Sequence, residues 1–107
     1  MNNAYDLYGA KDISLLLARS RIEEVFGISF EERNSTYHGG DYYMFGSNDS
    51  ENFVLKMNLD PFDEEPVEQG FPDYPVLLYI NATDRSSDIE EAIKKSDCFK
   101  RLRHEVF

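Results

Sequence analysis

The feature that most constrains the fold is a change from acidic to apolar sequence within residues 60–82. Residues 76–82, V-L-L-Y-I-N-A, form the most apolar run in the chain and are apolar on both alternating faces. Such a run is typical of a strand in the interior of a sheet. The preceding residues 60–74, D-P-F-D-E-E-P-V-E-Q-G-F-P-D-Y, hold six carboxylates, three aromatic rings and no Lys or Arg. We therefore predict a central strand that directly follows a long acidic loop.

Three further strands are predicted before this loop. Residues 28–33 and 42–45 alternate in polarity on either side of a connection that contains glycine, a pattern typical of a hairpin. Residues 53–59 carry apolar side chains at every second position and mostly polar ones between them. That alternation predicts an antiparallel strand with one buried and one exposed face.

Two helices are predicted on either side of these strands. Residues 13–26 carry a wide apolar stripe at helical spacing, with Asp12 in the place of an N-cap and Gly27 in the place of a left-handed stop. Ser87 and Glu90 form a capping-box pattern at the start of a second, shorter helix. The wide stripe of the first helix predicts that it packs on a sheet.

The two ends of the chain are predicted to add strands. Residues 4–8 alternate weakly and indicate a short edge strand, and residues 101–107 alternate again as a final strand. The last strand–helix–strand unit is near the lower length limit of a parallel crossover, so its pairing stays open. The complete order predicts one α+β domain over residues 1–107. It has a mostly antiparallel sheet of about five strands, with one long N-terminal helix and one short C-terminal helix packed on it.

Net charge narrows the classes of partner. The 107 residues include 21 acidic and 11 basic side chains, which gives a formal net charge of −10. Nucleic acid and anionic membranes bind basic surfaces, so we expect neither as a direct partner. The same charge favours fast association with a basic protein, and solubility alone is the alternative explanation.

Cysteine usage and hydropathy exclude further classes. Cys98 is the only cysteine, which rules out an internal disulfide and a cysteine-based zinc cluster. No apolar run approaches the roughly 20 residues of a membrane span, and no signal peptide is visible, so we predict a cytoplasmic location. We expect no cofactor and no metal. A glycine-rich phosphate loop is missing, and the carboxylates from Asp60 onward lack the spacing of a calcium loop.

Histidine-based catalysis is an alternative with limited support. His38 and His104 are the only histidines, and with Lys56 they could form an acid–base pair that cleaves RNA. His104 falls in the alternation of the last predicted strand, as a histidine on a sheet face would, and His38 precedes two glycines in a turn. Cys98 lacks the signs of a lowered pKa or a positioned base that a nucleophile needs.

The acidic loop is the better candidate for a functional site. A loop of about fifteen residues is usually functional or disordered, although a solvated connector is the alternative. Its prolines reduce the freedom lost on binding, its carboxylates suit Arg and Lys of a partner, and its rings suit desolvated anchors. The predicted partner-binding residues are Asp60, Phe62, Asp63, Glu64, Glu65, Glu68, Phe71, Asp73 and Tyr74. A second acidic surface is predicted at Glu31 and Glu32 with the loop at residues 37–43.

One long stretch of the chain carries a family resemblance. The run F-V-L-K-M-N-L-D and the later run F-P-D-Y-P-V-L-L-Y-I-N-A-T-D-R-S-S-D-I-E-E-A-I resemble bacterial immunity proteins of polymorphic toxin systems. The similarity covers the chain from residue 42 onward and is to the group paired with contact-dependent growth-inhibition toxins. It implies a cytoplasmic, non-enzymatic protein that forms a one-to-one complex with the C-terminal domain of a cognate toxin. That toxin domain is often a basic nuclease, and the resemblance implies that the immunity protein occludes its active site. The resemblance transfers neither a fold nor contact residues, because both vary within such families.

Two other functions stay open beside immunity. One is an acidic adaptor or regulatory module that binds another basic protein, which these residues do not separate from immunity. The other is a small acidic enzyme that uses His38 or His104.

Overall fold

A computed structural model describes residues 3–35, 40–47, 49–59, 64–96 and 98–106. The strands are β1 Ala4–Ala10, β2 Glu31–Ser35, β3 Gly40–Gly46, β4 Asn52–Met57, β5 Val76–Thr83 and β6 Lys100–Val106. The helices are α1 Leu15–Phe26 and α2 Ser86–Ser96. Along the chain the order is β1–α1–β2–β3–β4–β5–α2–β6. The predicted α+β class is confirmed, with six strands in the described residues where about five were expected.

The six strands form one antiparallel sheet in the spatial order β2-β3-β4-β5-β1-β6. β5 lies between β4 and β1, which confirms the predicted central strand. The prediction of an edge strand at residues 4–8 is wrong, because β6 pairs along the outer side of β1. β5 and β6 both run antiparallel to β1, so they are parallel to each other and α2 crosses over β1 to connect them.

Strand register divides the sheet into two faces. Tyr8 lies opposite Leu78, and both belong to the large core cluster that includes residues of α1 and α2. We call this side the helix-covered face. Leu7 lies opposite Tyr79 on one neighbour and Arg103 on the other, and these side chains point to the other side. We call that side the loop-covered face.

The two helices pack side by side on the helix-covered face. α1 contributes Ala18 and Ile22 and α2 contributes Ile89 and Ile93, all at most 1% exposed. Each pair is four residues apart, which places both members on one side of its helix. With 12 and 11 residues the helices are nearly equal, rather than one long and one short. α2 begins at Ser86, one residue before the predicted cap.

The start of α1 differs from the prediction and its end agrees with it. Ser14, not Asp12, is the N-cap, and its Oγ accepts a hydrogen bond from the Leu17 N–H at 3.1 Å. Gly27 adopts the left-handed conformation, with φ 65° and ψ 36°, and its N–H donates to the carbonyl of Glu23. Glycine reaches that conformation without steric cost, so the predicted stop is confirmed.

β4 is buried on both faces, although the sequence predicts one exposed face. Asn52 and Lys56 are only 4% and 6% exposed, and Asn58, just beyond the strand, is 7% exposed. Other segments cover the polar side chains on the loop-covered face: Asn52 Nδ2 donates to the carbonyls of Ser47 and Ser50 in the turn before β4. The loop between β4 and β5 hydrogen-bonds to Asn58. A small apolar cluster of Tyr42, Met44 and Val54 also lies on this side.

The overall dimensions fit one domain. The Cα radius of gyration is 13.0 Å, close to the value expected for a domain of about 100 residues. No helix in the described ranges is long and apolar enough to cross a membrane.

Candidate binding surface

A single asparagine side chain organises the acidic loop. Asn58 Nδ2 donates to the carbonyl oxygens of Phe71 at 3.0 Å and Tyr74 at 2.9 Å, and its Oδ1 accepts from the Glu68 N–H at 2.8 Å. The Asn58 backbone N–H donates to the carbonyl of Pro75 at 2.8 Å. The loop therefore has its backbone fixed at four points by one residue, and this buried amide has partners for both of its polar ends.

Glu68 joins the same loop to the sheet beneath it. The Tyr79 hydroxyl donates to Glu68 Oε1 at 2.6 Å, and Arg103 Nη1 lies 3.4 Å from Oε2. Burial raises the pKa of Tyr79, and the hydrogen bond to the Glu68 carboxylate raises it further. This carboxylate is thus paired within the chain and positions the loop. Its predicted contact with a partner stays a prediction.

The two described rings of the loop are half-buried. Tyr74 packs so closely on β1 that a Cβ at Gly9 would lie 2.8 Å from the ring, and the Lys11 ammonium lies 4.8 Å from the ring centroid. Phe71 lines a hollow of about 380 Å³ between the loop and the start of β6. Each ring therefore rests on the sheet and keeps part of its surface at the protein exterior.

Three carboxylates in the described part of the loop are exposed. Glu64, Glu65 and Asp73 are on the outside of the described loop, and we call them the acidic surface. Glu64 has φ 58°, a left-handed backbone conformation that residues other than glycine rarely adopt. The predicted residues Asp60, Phe62 and Asp63 lie outside the described residues. The acidic surface can form charge-assisted hydrogen bonds to Lys or Arg of another protein.

The second predicted acidic surface keeps its carboxylates but not all of its rings. Glu31 and Glu32 are exposed on the edge strand β2. Tyr42 and Tyr43, at the end of the predicted loop, lie in β3 and are 8% and 7% exposed. Residues 36–39 lie outside the described part of the chain. The exposed feature here is therefore charge on a sheet edge, which also discourages edge-to-edge pairing.

The predicted catalytic candidate His104 lies in a polar cluster with Asp6 and Ser86. His104 Nδ1 contacts one oxygen of the buried Asp6 carboxylate, and Ser86 Oγ donates to the other. Ser86 Oγ also lies 3.4 Å from the same Nδ1. In a catalytic triad the carboxylate and the nucleophile bond to opposite ring nitrogens. The arrangement here joins β6 and α2 to β1 and does not align Ser86 as a nucleophile. The other histidine, His38, lies outside the described residues.

A further charged cluster joins the start of β4 to the end of β5. Arg85 Nη2 donates to Glu51 Oε1 at 2.7 Å, and Thr83 Oγ1 donates to Glu51 Oε2 at 2.6 Å. The hydrogen bond from the Arg85 guanidinium lowers the pKa of Glu51. These bonds connect the residue before β4 to the end of β5 and the residues after it. Nowhere do the described residues gather three His, Cys, Asp or Glu side chains in a way that suits a metal ion.

The structure also brings together cations that the sequence leaves apart. Lys11 follows β1, Lys94 lies in the last turn of α2 and Lys100 begins β6, yet all three line one cavity. Their spacing along the chain gives no signal of this, because only the crossover of α2 places the three segments side by side. The lysine at the end of a helix is also expected from the helix dipole alone.

Comparison with known proteins identifies no family for this chain. No model of a known protein family matches it, and no curated protein is significantly similar to it. Its function is therefore argued below from the geometry of the loop and the distribution of charge.

Proposed function

We propose that this protein is an immunity protein that binds a basic bacterial toxin domain, a nuclease such as an RNase, and occludes its active site. The observation that carries the proposal is that Asn58 fixes the backbone of the described part of the acidic loop, residues 64–74, where Glu64 and Asp73 are exposed. A loop that is ordered before association loses less conformational entropy on binding. Its negative charge also speeds the encounter with a cationic partner.

The loop divides into residues that hold it and residues that face outward. Asn58 and Glu68 hold it against the sheet, whereas the acidic surface faces solvent. A nuclease active site presents Lys and Arg to the phosphates of its substrate, and carboxylates can occupy the same positions. Inhibition then needs only tight association and slow release. Asp60, Phe62 and Asp63 are predicted to extend the contact.

Exposed apolar side chains lie next to the acidic surface along the chain. Met57 and Leu59 lead into the loop and are 39% and 48% exposed, and Val67 within it is 38% exposed. Such side chains lose contact with water when a partner covers them and supply much of the affinity of an interface. Together with the half-buried rings of Phe71 and Tyr74, they support a mixed acidic and apolar contact.

Co-expression tests the proposal directly. On this proposal, the gene immediately upstream should encode a protein whose C-terminal domain arrests growth when expressed alone. This protein should suppress the arrest and co-purify with the domain in a one-to-one complex. A variant with both histidines replaced, His38→Ala and His104→Ala, should still suppress the growth arrest. That result would exclude the alternative of a small acidic enzyme that uses these histidines.

Charge reversal locates the interface. The double variant Glu64→Lys with Asp73→Lys should weaken toxin binding by at least about 2 kcal/mol and reduce its dependence on salt. The matched control, Glu24→Lys with Glu91→Lys, makes the same change in net charge on exposed faces of α1 and α2. Equal losses in both double variants would mean that overall charge, and not the acidic surface, drives binding.

The adaptor alternative differs from immunity only in the partner. If the upstream domain does not arrest growth and the acidic surface instead captures a basic protein without toxicity, the protein is an adaptor. Both functions use the same loop, so the growth assay, and not the affinity measurement, distinguishes them.

A further inference from the structure

A cleft at one end of the molecule combines two adjoining cavities. Their volumes are about 440 Å³ and 360 Å³, and Lys94, Phe99 and Lys100 line both. The cleft lies between the end of β1, the end of α2 and the start of β6. Cavities of about this size are typical of small-molecule sites.

The charge of this cleft is opposite to that of the whole chain. Lys11, Lys94 and Lys100 line the larger cavity, and Asp12 is the one carboxylate among its described lining residues. The smaller cavity adds Glu90, which is paired with Arg101 at 3.2 Å, so the cleft keeps an excess of positive charge. None of the three ammonium groups forms an ion pair with a carboxylate of the described residues. In a chain of net charge −10, three cations gathered in one concave site create a local positive potential that attracts anions.

A buried hydroxyl group in the wall of the smaller cavity lacks a partner. Tyr8 lines this cavity and is 1% exposed, and its hydroxyl has no hydrogen-bond partner among the described residues. Buried hydroxyl groups are nearly always hydrogen-bonded, so this one requires an explanation. Burial and the nearby Asp6 carboxylate raise the pKa of Tyr8, so at neutral pH the group is a donor.

We propose that this cleft binds a small ligand bearing a diphosphate or longer polyphosphate, whose oxygens contact Lys11, Lys94 and Lys100 and accept a hydrogen bond from Tyr8. A polyphosphate matches three ammonium groups, whereas a single carboxylate neutralises only one. Lysine is a common phosphate ligand in proteins. The rings of Phe99 and Tyr74 add apolar surface that can contact an organic group of the ligand.

Calorimetric titration of the isolated protein tests this site without any protein partner. Inorganic pyrophosphate and tripolyphosphate should each bind with saturation at one site per chain, and their affinity should fall as salt is raised. Acetate, a single carboxylate, should not bind measurably. Absence of saturable binding by both polyphosphates would overturn the proposal.

Substitutions in the cleft make the test specific. Lys100→Gln, at the residue shared by both cavities, should lower pyrophosphate affinity about tenfold, which corresponds to the loss of one charge-assisted bond. Lys95→Gln removes a neighbouring charge that lines neither cavity, and should change affinity less than about twofold. Equal losses in the two variants would show a general charge effect and overturn the site.

Tyr8→Phe tests the role of the hydroxyl. This variant should lower pyrophosphate affinity several-fold without lowering the thermal unfolding midpoint. Unchanged affinity, whatever the midpoint, would overturn the assignment of this hydroxyl to the ligand.

The affinity for ADP, compared with that for pyrophosphate, shows whether the ligand is an organic diphosphate or free polyphosphate. If ADP binds more tightly than pyrophosphate, the ligand is an organic diphosphate that uses the apolar surface; if both bind equally, it is free polyphosphate. A hexaglutamate peptide that binds more tightly than either would overturn the phosphate assignment in favour of an acidic protein segment.

Discussion

The two faces of the sheet are covered by different means. On the helix-covered face, α1 and α2 bury a continuous apolar core that includes Phe53 and Leu78, both 0% exposed. On the loop-covered face, the apolar cluster is small, and the loop is held by the hydrogen bonds of Asn58 and Glu68. Apolar burial is nondirectional and scales with area, whereas hydrogen bonds contribute little net stability but fix geometry. The first face therefore supplies most of the stability and the second places the acidic surface.

The largest expected effect is a truncation on the helix-covered face. Leu78→Ala should lower the free energy of unfolding by about 2–5 kcal/mol, because it leaves a cavity in the packed core. Leu16→Ala makes the same chemical change at a residue 64% exposed on α1 and should cost less than about 0.5 kcal/mol. Urea denaturation measures both. Similar losses in the two variants would contradict the location of the core.

The next largest loss of stability is expected at Asn58, which holds the loop on the loop-covered face. Asn58→Ala removes three side-chain hydrogen bonds, and we expect a loss of about 1–3 kcal/mol of unfolding free energy. Amide hydrogen exchange at Glu68 should accelerate in this variant while exchange in β5 stays slow. Asn34→Ala is the control, since its side-chain bond to Asp41 is exposed. A variant that loses stability but keeps the Glu68 amide protected would show that Asn58 does not hold the loop.

A smaller effect should appear at alkaline pH. Tyr79→Phe should cost about 1 kcal/mol at neutral pH through the lost bond to Glu68. Because the folded protein raises the pKa of Tyr79, the stabilisation is complete below the ordinary tyrosine pKa of about 10 and is lost as pH rises above it. From about pH 10 upward, the stability of the wild-type protein should fall more steeply than that of Tyr79→Phe. Identical slopes would exclude this linkage.

The smallest effect on stability is expected for the other buried tyrosine. Tyr8 lies on the helix-covered face, and its hydroxyl lacks a partner among the described residues. Tyr8→Phe should therefore leave the unfolding free energy unchanged or slightly raised at neutral pH, in contrast to Tyr79→Phe. Denaturation of both variants under the same conditions measures the contrast. A loss of about 1 kcal/mol or more in Tyr8→Phe would mean that this hydroxyl is bonded in the folded protein.

Local pattern was sufficient for the central strand and for the end of the first helix. The apolar run of β5 requires cover on both faces, so its central place follows from composition. Gly27 ends α1 because the left-handed conformation favours glycine at that position. The interpretation of β4 failed for the opposite reason. The burial of Asn52 depends on the turn before the strand and on Asn81 of β5, and that of Asn58 depends on the loop after the strand. Alternation within the strand carries no information about these partners.

The candidate sites follow the same division. The carboxylates and rings of the loop are adjacent in sequence, so an acidic, ring-bearing loop could be predicted, including the exposed Glu64 and Asp73. That Glu68 turns inward to Tyr79 and Arg103 could not be predicted, because those partners are 11 and 35 residues away. The lysine cleft could not be predicted either, because its three cations come from distant segments that no local pattern relates.

By itself the sequence determined the α+β class, the central strand, the strong net charge and the presence of an acidic loop. Each of these depends on composition or on contacts between residues close along the chain. Only the tertiary structure decided which strand is at the edge, which carboxylates are paired within the chain, and where lysines from three segments converge. Those features arise from pairing between distant segments, and the energy of such a contact depends on the final position of both partners.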